Sequence, residues 1–211
     1  MPGSSENGIV HSELSTREEV PGRPEIPPSD LNPRCVAICT VGELFGGVER
    51  HVLGLIGGLA TQGVSALLVL FYDNELAAQA RGQGIKPIIL SNRNVSALAT
   101  SRQLAQLFKQ HNIHVVHVHG YKATVFCALA RQWFSFAMVK TEHGLPEPTT
   151  AGPIRMLRNC LYHYFDSASA RIAQVTVCYV TEDLRAYYHH AHSGLMTTVI
   201  PNGVATMDRR Q

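Results

Sequence analysis

The sequence lacks the features of membrane-spanning, secreted and metal-cluster proteins. None of its apolar runs approaches the ~18 residues of a membrane span. Its start, MPGSSENG, has no basic stretch and no apolar core, so a secretory signal is not expected. The five cysteines form no C-x-x-C pair, so no zinc or redox motif is indicated. We expect buried thiols in a reducing compartment at Cys35, Cys39, Cys127, Cys160 and Cys178.

Acidic residues are also absent from a long internal stretch. Between Glu75 and Glu142 there is none, whereas eight Lys and Arg residues fall there. Such a surface attracts anions, namely phosphates, anionic lipid or a nucleotide. The positive charge alone does not distinguish these ligands. A solvated basic face that binds no ligand would give the same sequence pattern. No nucleic-acid partner is expected.

The order of patterns along the chain predicts the fold. Residues 1–33 are rich in Pro, Gly, Ser and Glu without periodicity, which predicts a disordered leader. From Arg34, short apolar runs alternate about seven times with helical patterns. Residues 85–90 form the third predicted strand, and residues 172–180 form the sixth. This alternation predicts an α/β fold with a doubly wound parallel sheet, Rossmann-like, in one domain at residues 34–200. Ligands of such sheets bind at the carboxyl ends of the strands.

The first strand is followed by the glycine pair Gly46 and Gly47, at the predicted start of a helix. Glycines there allow a ligand to approach the backbone, and the amide N–H groups of a helix start favour a phosphate. The spacing matches neither G-x-G-x-x-G nor a P-loop. A plain turn explains the pair equally well.

Histidines follow the fourth and fifth strands. His117 and His119 are two residues apart in a strand and so point to the same side. They are candidate metal ligands, but no carboxylate ligand accompanies them, so we expect no metal, with His117 packed and His119 lining the cleft. His143 follows the fifth strand, where it is placed to hydrogen-bond a bound hydroxyl or phosphate.

A predicted helix at residues 154–168 has the apolar residues Ile154, Leu157, Leu161 and Phe165 on one face. Arg155 and Arg158 lie beside them. Two interpretations are open: contact with a membrane surface, and an ordinary amphipathic core helix. We favour the core helix.

Four motifs together resemble those of family 4 glycosyltransferases, which have the GT-B fold. They are GGVERHV at 46–52, HVH at 117–119, TEHG at 141–144 and VIPNGV at 199–204. Their order is that of the family, and the resemblance covers residues 34–204. It identifies the chain as similar to the N-terminal, acceptor-side domain of such enzymes, which retain anomeric configuration and generally need no metal.

The resemblance implies roles for individual residues. Gly46 and Gly47 match the loop against the donor diphosphate, and His143 matches the histidine near the transferred sugar. Asn202 and Gly203 match the interdomain hinge. Acceptor-side or cleft candidates are His119, Tyr121, Lys122, Arg155 and Arg158. The co-substrate is a nucleotide-sugar, without a further cofactor, and the acceptor is a glycan, a glycolipid or a small molecule.

Only seven residues follow the VIPNGV segment. Residues 201–211 are therefore expected to begin the interdomain linker, with the donor domain and its glutamate pair absent from this sequence. We expect the chain alone to be inactive, and to associate with a separate donor domain or with itself. The expected location is cytoplasmic, with peripheral contact at the inner face of a membrane as an option. Two alternatives stay open: a non-catalytic anion- or partner-binding module, and a metal-dependent hydrolase using His117, His119 and His143.

Overall fold

A computed structural model describes residues 35–42, 45–90, 95–145 and 152–203. The predicted leader at residues 1–33 lies outside this part of the chain, as does most of the predicted linker at residues 201–211. Asn202 and Gly203 are described, and both are exposed and outside any helix or strand.

Strands and helices alternate along the described residues. The strands are β1 (Cys35–Thr40), β2 (Ser65–Leu70), β3 (Ile88–Ile89), β4 (Val115–His119), β5 (Ala137–Glu142), β6 (Thr176–Tyr179) and β7 (Thr197–Val199). The helices are α1 (Gly47–Thr61), α2 (Glu75–Gly82), α3 (Ala97–Gln110), α4 (Tyr121–Ala130), α5 (Pro153–Ile172) and α6 (Glu182–Tyr188).

The strands form one parallel sheet in the order β3-β2-β1-β4-β5-β6-β7. This confirms the predicted doubly wound α/β fold. The chain runs outward from β1 in one direction and then from β4 in the other. A crevice therefore opens between the carboxyl ends of β1 and β4, which is where ligands of such sheets bind.

Alternation along the central strands separates two apolar layers. One layer packs α1 and α2 against strand residues that include Ile38, Leu68 and Leu70. The other packs α3, α4, the end of α5 and α6 against residues that include Cys39, Val118 and Val177. Because neighbouring strand residues point to opposite faces, the central strands are apolar on both.

Two predicted strand boundaries were wrong. The third strand was predicted over residues 85–90 but spans only Ile88–Ile89, after Pro87, which cannot donate to a sheet ladder. The sixth strand was predicted to begin at residue 172, yet Ile172 ends α5. The helix continues there because Ala170 and Ala173 are buried in the core. A turn at Gln174, with φ of 47°, then leads into β6.

The five cysteines are free thiols, but they are not uniformly buried. Cys39, Cys127 and Cys178 are buried, as predicted, and Cys35 is partly buried. Cys160 is exposed, so the prediction for it was wrong. It lies on the solvent side of α5.

None of the helices in the described residues combines the length and the apolar character needed to cross a membrane.

Gly42 follows β1 and is hydrogen-bonded to the residue that caps α2. Its φ is +65°, a region that side chains rarely adopt. The Asn74 side chain, which caps α2 at Ala77, donates to the carbonyl oxygens of Val41 at 3.0 Å and Gly42 at 2.5 Å. A Cβ at Gly42 would lie 2.9 Å from Asn74 Nδ2 and 3.2 Å from buried Leu76.

We therefore expect Gly42→Ala to lower the free energy of unfolding by about 2–3 kcal/mol, since backbone strain and a clash act together. Urea unfolding measures it. Gly84→Ala is the matched control, because φ there is +78° but nothing lies within 4 Å of the added Cβ. Equal losses for the two variants would show that the contact with Asn74 and Leu76 carries no cost.

Candidate functional site

The carboxyl ends of β1, β4 and β5 bring the predicted site residues to one edge of the sheet. Thr40 pairs in register with His119, and His119 pairs with Thr141. His143 follows β5 two residues after Thr141. The parallel arrangement thus places His119 and His143 side by side, although 24 residues separate them in the chain.

The glycine pair stands at the start of α1, as predicted. The Gly46 N–H donates to Glu49 Oε2 at 2.9 Å, so this amide is already occupied. The amide groups of Gly47 and Val48 have no partner within the helix, as is general for a first turn. A Cβ at Gly47 would meet nothing within 4 Å, which shows open space in front of this turn.

Four imidazoles form a cluster beside this helix start. It consists of His51 on α1, His117 and His119 on β4, and His143 after β5. The ring of His51 lies 4.9 Å from that of His143 and 5.8 Å from that of His119, between ring centroids. The rings of His119 and His143 stack at 5.1 Å. We call this group the histidine cluster.

Hydrogen bonds hold three of these rings. His119 Nδ1 and His143 Nε2 are 2.8 Å apart, and His117 Nε2 is 2.7 Å from Thr141 Oγ1. Among the described residues, His119 Nε2 has no partner although it is buried. An unpaired lone pair is more readily tolerated there than an unpaired N–H. This favours His119 donating from Nδ1, which leaves His143 with its proton on Nδ1.

Burial keeps the cluster neutral at physiological pH. Desolvation, with smaller contributions from His51 and His143, lowers the pKa of His117 to about 4. Desolvation, with His51 adding to it, lowers the pKa of His143 to about 4 as well. The pKa of His119 is lowered well below its usual value, mainly by burial. A neutral imidazole at His143 donates one hydrogen bond and accepts another.

The cluster does not have the geometry of a metal centre. Within the described residues, no three or more His, Cys, Asp or Glu side chains are placed to hold a metal ion. His119 and His143 direct nitrogens at each other instead of at a shared point. This arrangement weighs against the metal-dependent hydrolase. His119 is also more deeply buried than a cleft-lining residue, while His117 is half-buried.

Tyr121 and Lys122 start α4 and line a cavity of about 340 Å³. The Tyr121 ring stacks on Tyr162 of α5 at 4.7 Å. The Lys122 ammonium lies 5.9 Å from the rings of Tyr72 and Tyr121. The remaining lining residues are mostly apolar: Phe71, Tyr72, Val95, Thr100, Val125, Phe126, Tyr162 and Phe165. We call this space the aromatic cavity.

Arg155 and Arg158 are exposed on the first half of α5. The predicted core face of this helix is exposed too: Ile154 by 85%, Leu157 by 63%, Leu161 by 46% and Phe165 by 55%. The expectation of an ordinary core helix was therefore wrong. Of all residues of α5, only Asp166 and Ala170 are fully buried, because the helix reaches the core through its second half.

Sequence reasoning missed a buried ionic cluster on the other face of the sheet. Lys140 is only 1% exposed, forms an ion pair with Glu142 and donates to Asp166 Oδ2 at 2.5 Å. His192 Nε2 lies 3.8 Å from Glu142, and its Nδ1 lies 2.7 Å from the Tyr179 hydroxyl. Two charged residues, Lys140 and Glu142, stand two positions apart in the otherwise mostly apolar β5, and this pattern could have indicated a buried ion pair.

Sequence reasoning also missed His51, which lies in the GGVERHV motif but was not assigned a role.

The sequence model of the family Glycosyltransferase Family 4 matches residues 45–207 of the 211. The matched region contains the glycine pair and the whole histidine cluster. Comparison with curated protein sequences found no match.

Solved structures with the same fold include enzymes of more than one kind. A glycosyltransferase from Rickettsia africae is 17% identical with a TM-score of 0.61, over 82% of this chain and 44% of that one. Alr3699/HepE from Anabaena, in complex with UDP and glucose, is 18% identical with a TM-score of 0.63, over 81% and 45%. UDP-N-acetylglucosamine 2-epimerase from Rickettsia bellii is 14% identical with a TM-score of 0.57, over 81% and 45%. At these identities the likeness shows the fold alone, and the chain spans less than half of each structure.

Proposed function

The chain belongs to glycosyltransferase family 4, and from this we propose that it is the acceptor-binding half of a retaining glycosyltransferase. The reaction would move a hexosyl group from a nucleotide-sugar to a glycan, glycolipid or small acceptor, in polysaccharide or glycolipid biosynthesis. One observation carries the proposal. His143 and the open helix start at Gly47 meet at the same edge of the sheet, joined by His51 on α1.

Each part of this edge suits one element of the reaction. The Gly47 and Val48 amides and the dipole of α1 favour the donor diphosphate. His143 is neutral, and because its Nε2 accepts from His119, its Nδ1–H is the group that can donate to a sugar hydroxyl. The complex of the Anabaena structure with UDP and glucose supports a nucleotide-sugar as the co-substrate, and no other cofactor is proposed.

The share of the similar structures that this chain covers supports its assignment to half of an enzyme. Because the chain covers under half of the similar structures, a donor domain would have to close the cleft, through the hinge at Asn202 and Gly203. We propose a cytoplasmic location, with peripheral contact at the inner face of the membrane.

A transfer assay tests this function. The chain is assayed alone and fused after Gly203 to the C-terminal half of the Anabaena protein, with a panel of UDP-sugars and acceptors. We expect no transfer by the chain alone and measurable transfer by the fusion. His143→Ala should lower kcat of the fusion about 100-fold, the size of the loss when one positioned hydrogen-bonding group is removed from a transition state.

His114→Ala is the matched control, since His114 is exposed just before β4, the strand that carries His117 and His119. Turnover by the chain alone would contradict the half-enzyme assignment. A folded fusion that binds UDP but transfers no sugar would instead favour the non-catalytic binding module. Equal effects of the two substitutions would remove His143 from the mechanism.

A further inference from the structure

One face of α5 carries a continuous strip of exposed apolar side chains. It comprises Ile154, Leu157, Leu161, Tyr162 and Phe165, which follow the spacing of a single helix face. Over these residues the helix advances about 16 Å, at about 1.5 Å per residue. Exposed apolar side chains are ordinary when scattered, but a contiguous row marks a binding surface.

The strip leads into the aromatic cavity. Tyr162 and Phe165 belong to both, and Tyr162 stacks on Tyr121 at the cavity wall. At about 340 Å³ the cavity lies near the lower end of the ~300–1,000 Å³ range of ligand pockets. A ligand that fills the cavity and continues along the helix would therefore be long, narrow and apolar.

The charge beside the strip is entirely positive. Arg155 and Arg158 flank it, and the Arg158 guanidinium lies 6.0 Å from the Tyr162 ring. The single acidic residue of α5 is Asp166, which is buried against Lys140. Among the described residues no carboxylate pairs with either arginine. Guanidinium groups bind phosphate oxygens well, so the complementary ligand carries an anionic head.

We infer that the strip and the aromatic cavity together bind a lipid-linked acceptor with a phosphate-bearing head and a single apolar chain. This assignment rests on the proposed function and names its acceptor class. The apolar chain lies along Leu157 and Leu161 with its end in the cavity. Arg155 and Arg158 hold the phosphate.

Binding by the 211-residue chain tests this inference without requiring catalysis. Decyl phosphate, kept below its micelle concentration, is titrated by calorimetry at low salt. Decyl maltoside supplies a similar chain without charge, and inorganic phosphate supplies the charge without a chain. We expect decyl phosphate to bind at least tenfold more tightly than either.

Surface variants locate the site. Leu157→Asp should weaken decyl phosphate binding tenfold or more, and Arg158→Gln about threefold with a shallower salt dependence. Met156→Asp is the matched control, because Met156 is 59% exposed on the opposite side of the same helix. All three positions are exposed, so the variants should fold normally. Equal binding by the Leu157 and Met156 variants would overturn the assignment.

Other occupants give distinct results. Binding to vesicles containing phosphatidylglycerol, without binding to monomeric decyl phosphate, would show a membrane-surface contact and overturn the inference. Self-association that Leu157→Asp abolishes, again without decyl phosphate binding, would overturn it in favour of a second copy. Binding without transfer by the fusion would count against the proposed function alone, and transfer without binding would count against this acceptor class alone.

Discussion

Replacing Lys140 with Met should lower the free energy of unfolding by about 3–5 kcal/mol, the usual cost of removing one partner from a buried ion pair. Lys140 is the only cation in contact with Glu142 and Asp166 within the described residues, apart from His192 when that residue is protonated. Its ammonium is buried between the two carboxylates. Without it, two negative charges would remain near each other in a poorly solvated site.

The pKa directions agree with this interpretation. Desolvation acts to lower the pKa of Lys140, but its two carboxylate partners outweigh that effect and raise it. Desolvation raises the pKa of Glu142, against the opposing influence of Lys140. Loss of Lys140 removes this opposing influence, so Glu142 would take up a proton or draw in water at a cost in stability.

Urea unfolding at pH 7.5, followed by circular dichroism, measures the loss. Arg81→Met is the control, because Arg81 pairs with Asp73 at 2.9 Å on the surface and should contribute under 1 kcal/mol. The triple variant Lys140→Met, Glu142→Gln, Asp166→Asn should recover much of the loss, since no buried charge is left unpaired. A Lys140→Met cost below 1 kcal/mol would mean that this cluster is hydrated in solution.

Acidification from pH 7 to pH 4 should remove about 5 kcal/mol of stability, comparable with the whole stability of many domains. The pKa values of His117, His143 and His192 are each lowered to about 4 from an ordinary value of 6.5. Desolvation is the largest cause in each case. His119, with its pKa also lowered, adds to the effect.

The sign follows from proton binding. Between pH 6.5 and pH 4 the unfolded chain has protonated these imidazoles, whereas the native state still holds them neutral. Stability is therefore complete above pH 6.5, falls as the pH drops through this window and levels off below pH 4. Each histidine contributes on the order of 1–2 kcal/mol once the solvent screening of the less buried rings is allowed for.

Urea unfolding at pH values from 7.5 to 4 checks this prediction. His117→Gln should reduce the dependence on pH, because Gln carries no titrating group yet can hydrogen-bond Thr141. His111→Gln should not change it, since His111 is exposed at the end of α3. NMR titration of the imidazole resonances assigns each pKa. A pKa near 6.5 for His117, or constant stability down to pH 5, would show that the cluster is protonated without strain.

The fold was largely predictable because its signals are local. Short apolar runs such as that of β1 are typical of strands that are buried on both faces. Their alternation with helices favours a parallel sheet. The same logic placed Gly46, Gly47, His119 and His143 at strand ends. The short β3 and the late start of β6 were not predicted, because they depend on one proline and on two alanines that pack against distant elements.

The predictions failed where the outcome depends on a distant partner. The pattern of Ile154, Leu157 and Leu161 is the same whether the face is covered or exposed. Only the tertiary packing, in which α5 reaches the core through its second half, leaves this face exposed. Lys140 was counted in the basic surface between Glu75 and Glu142, which was wrong, because it is buried and paired with Asp166, 26 residues later. His51 acquired a role only through its contact with His143.

The class of fold and the family follow from the sequence, because periodicity and strand-end motifs lie in consecutive residues. The tertiary structure alone decided which side chains meet: His119 with His143, Lys140 with Glu142 and Asp166, and Tyr121 with Tyr162. These pairs depend on the order of the strands in the sheet and on how each helix lies across it. Burial then sets the proton on each imidazole, and burial is a property of the whole fold, not of any local pattern.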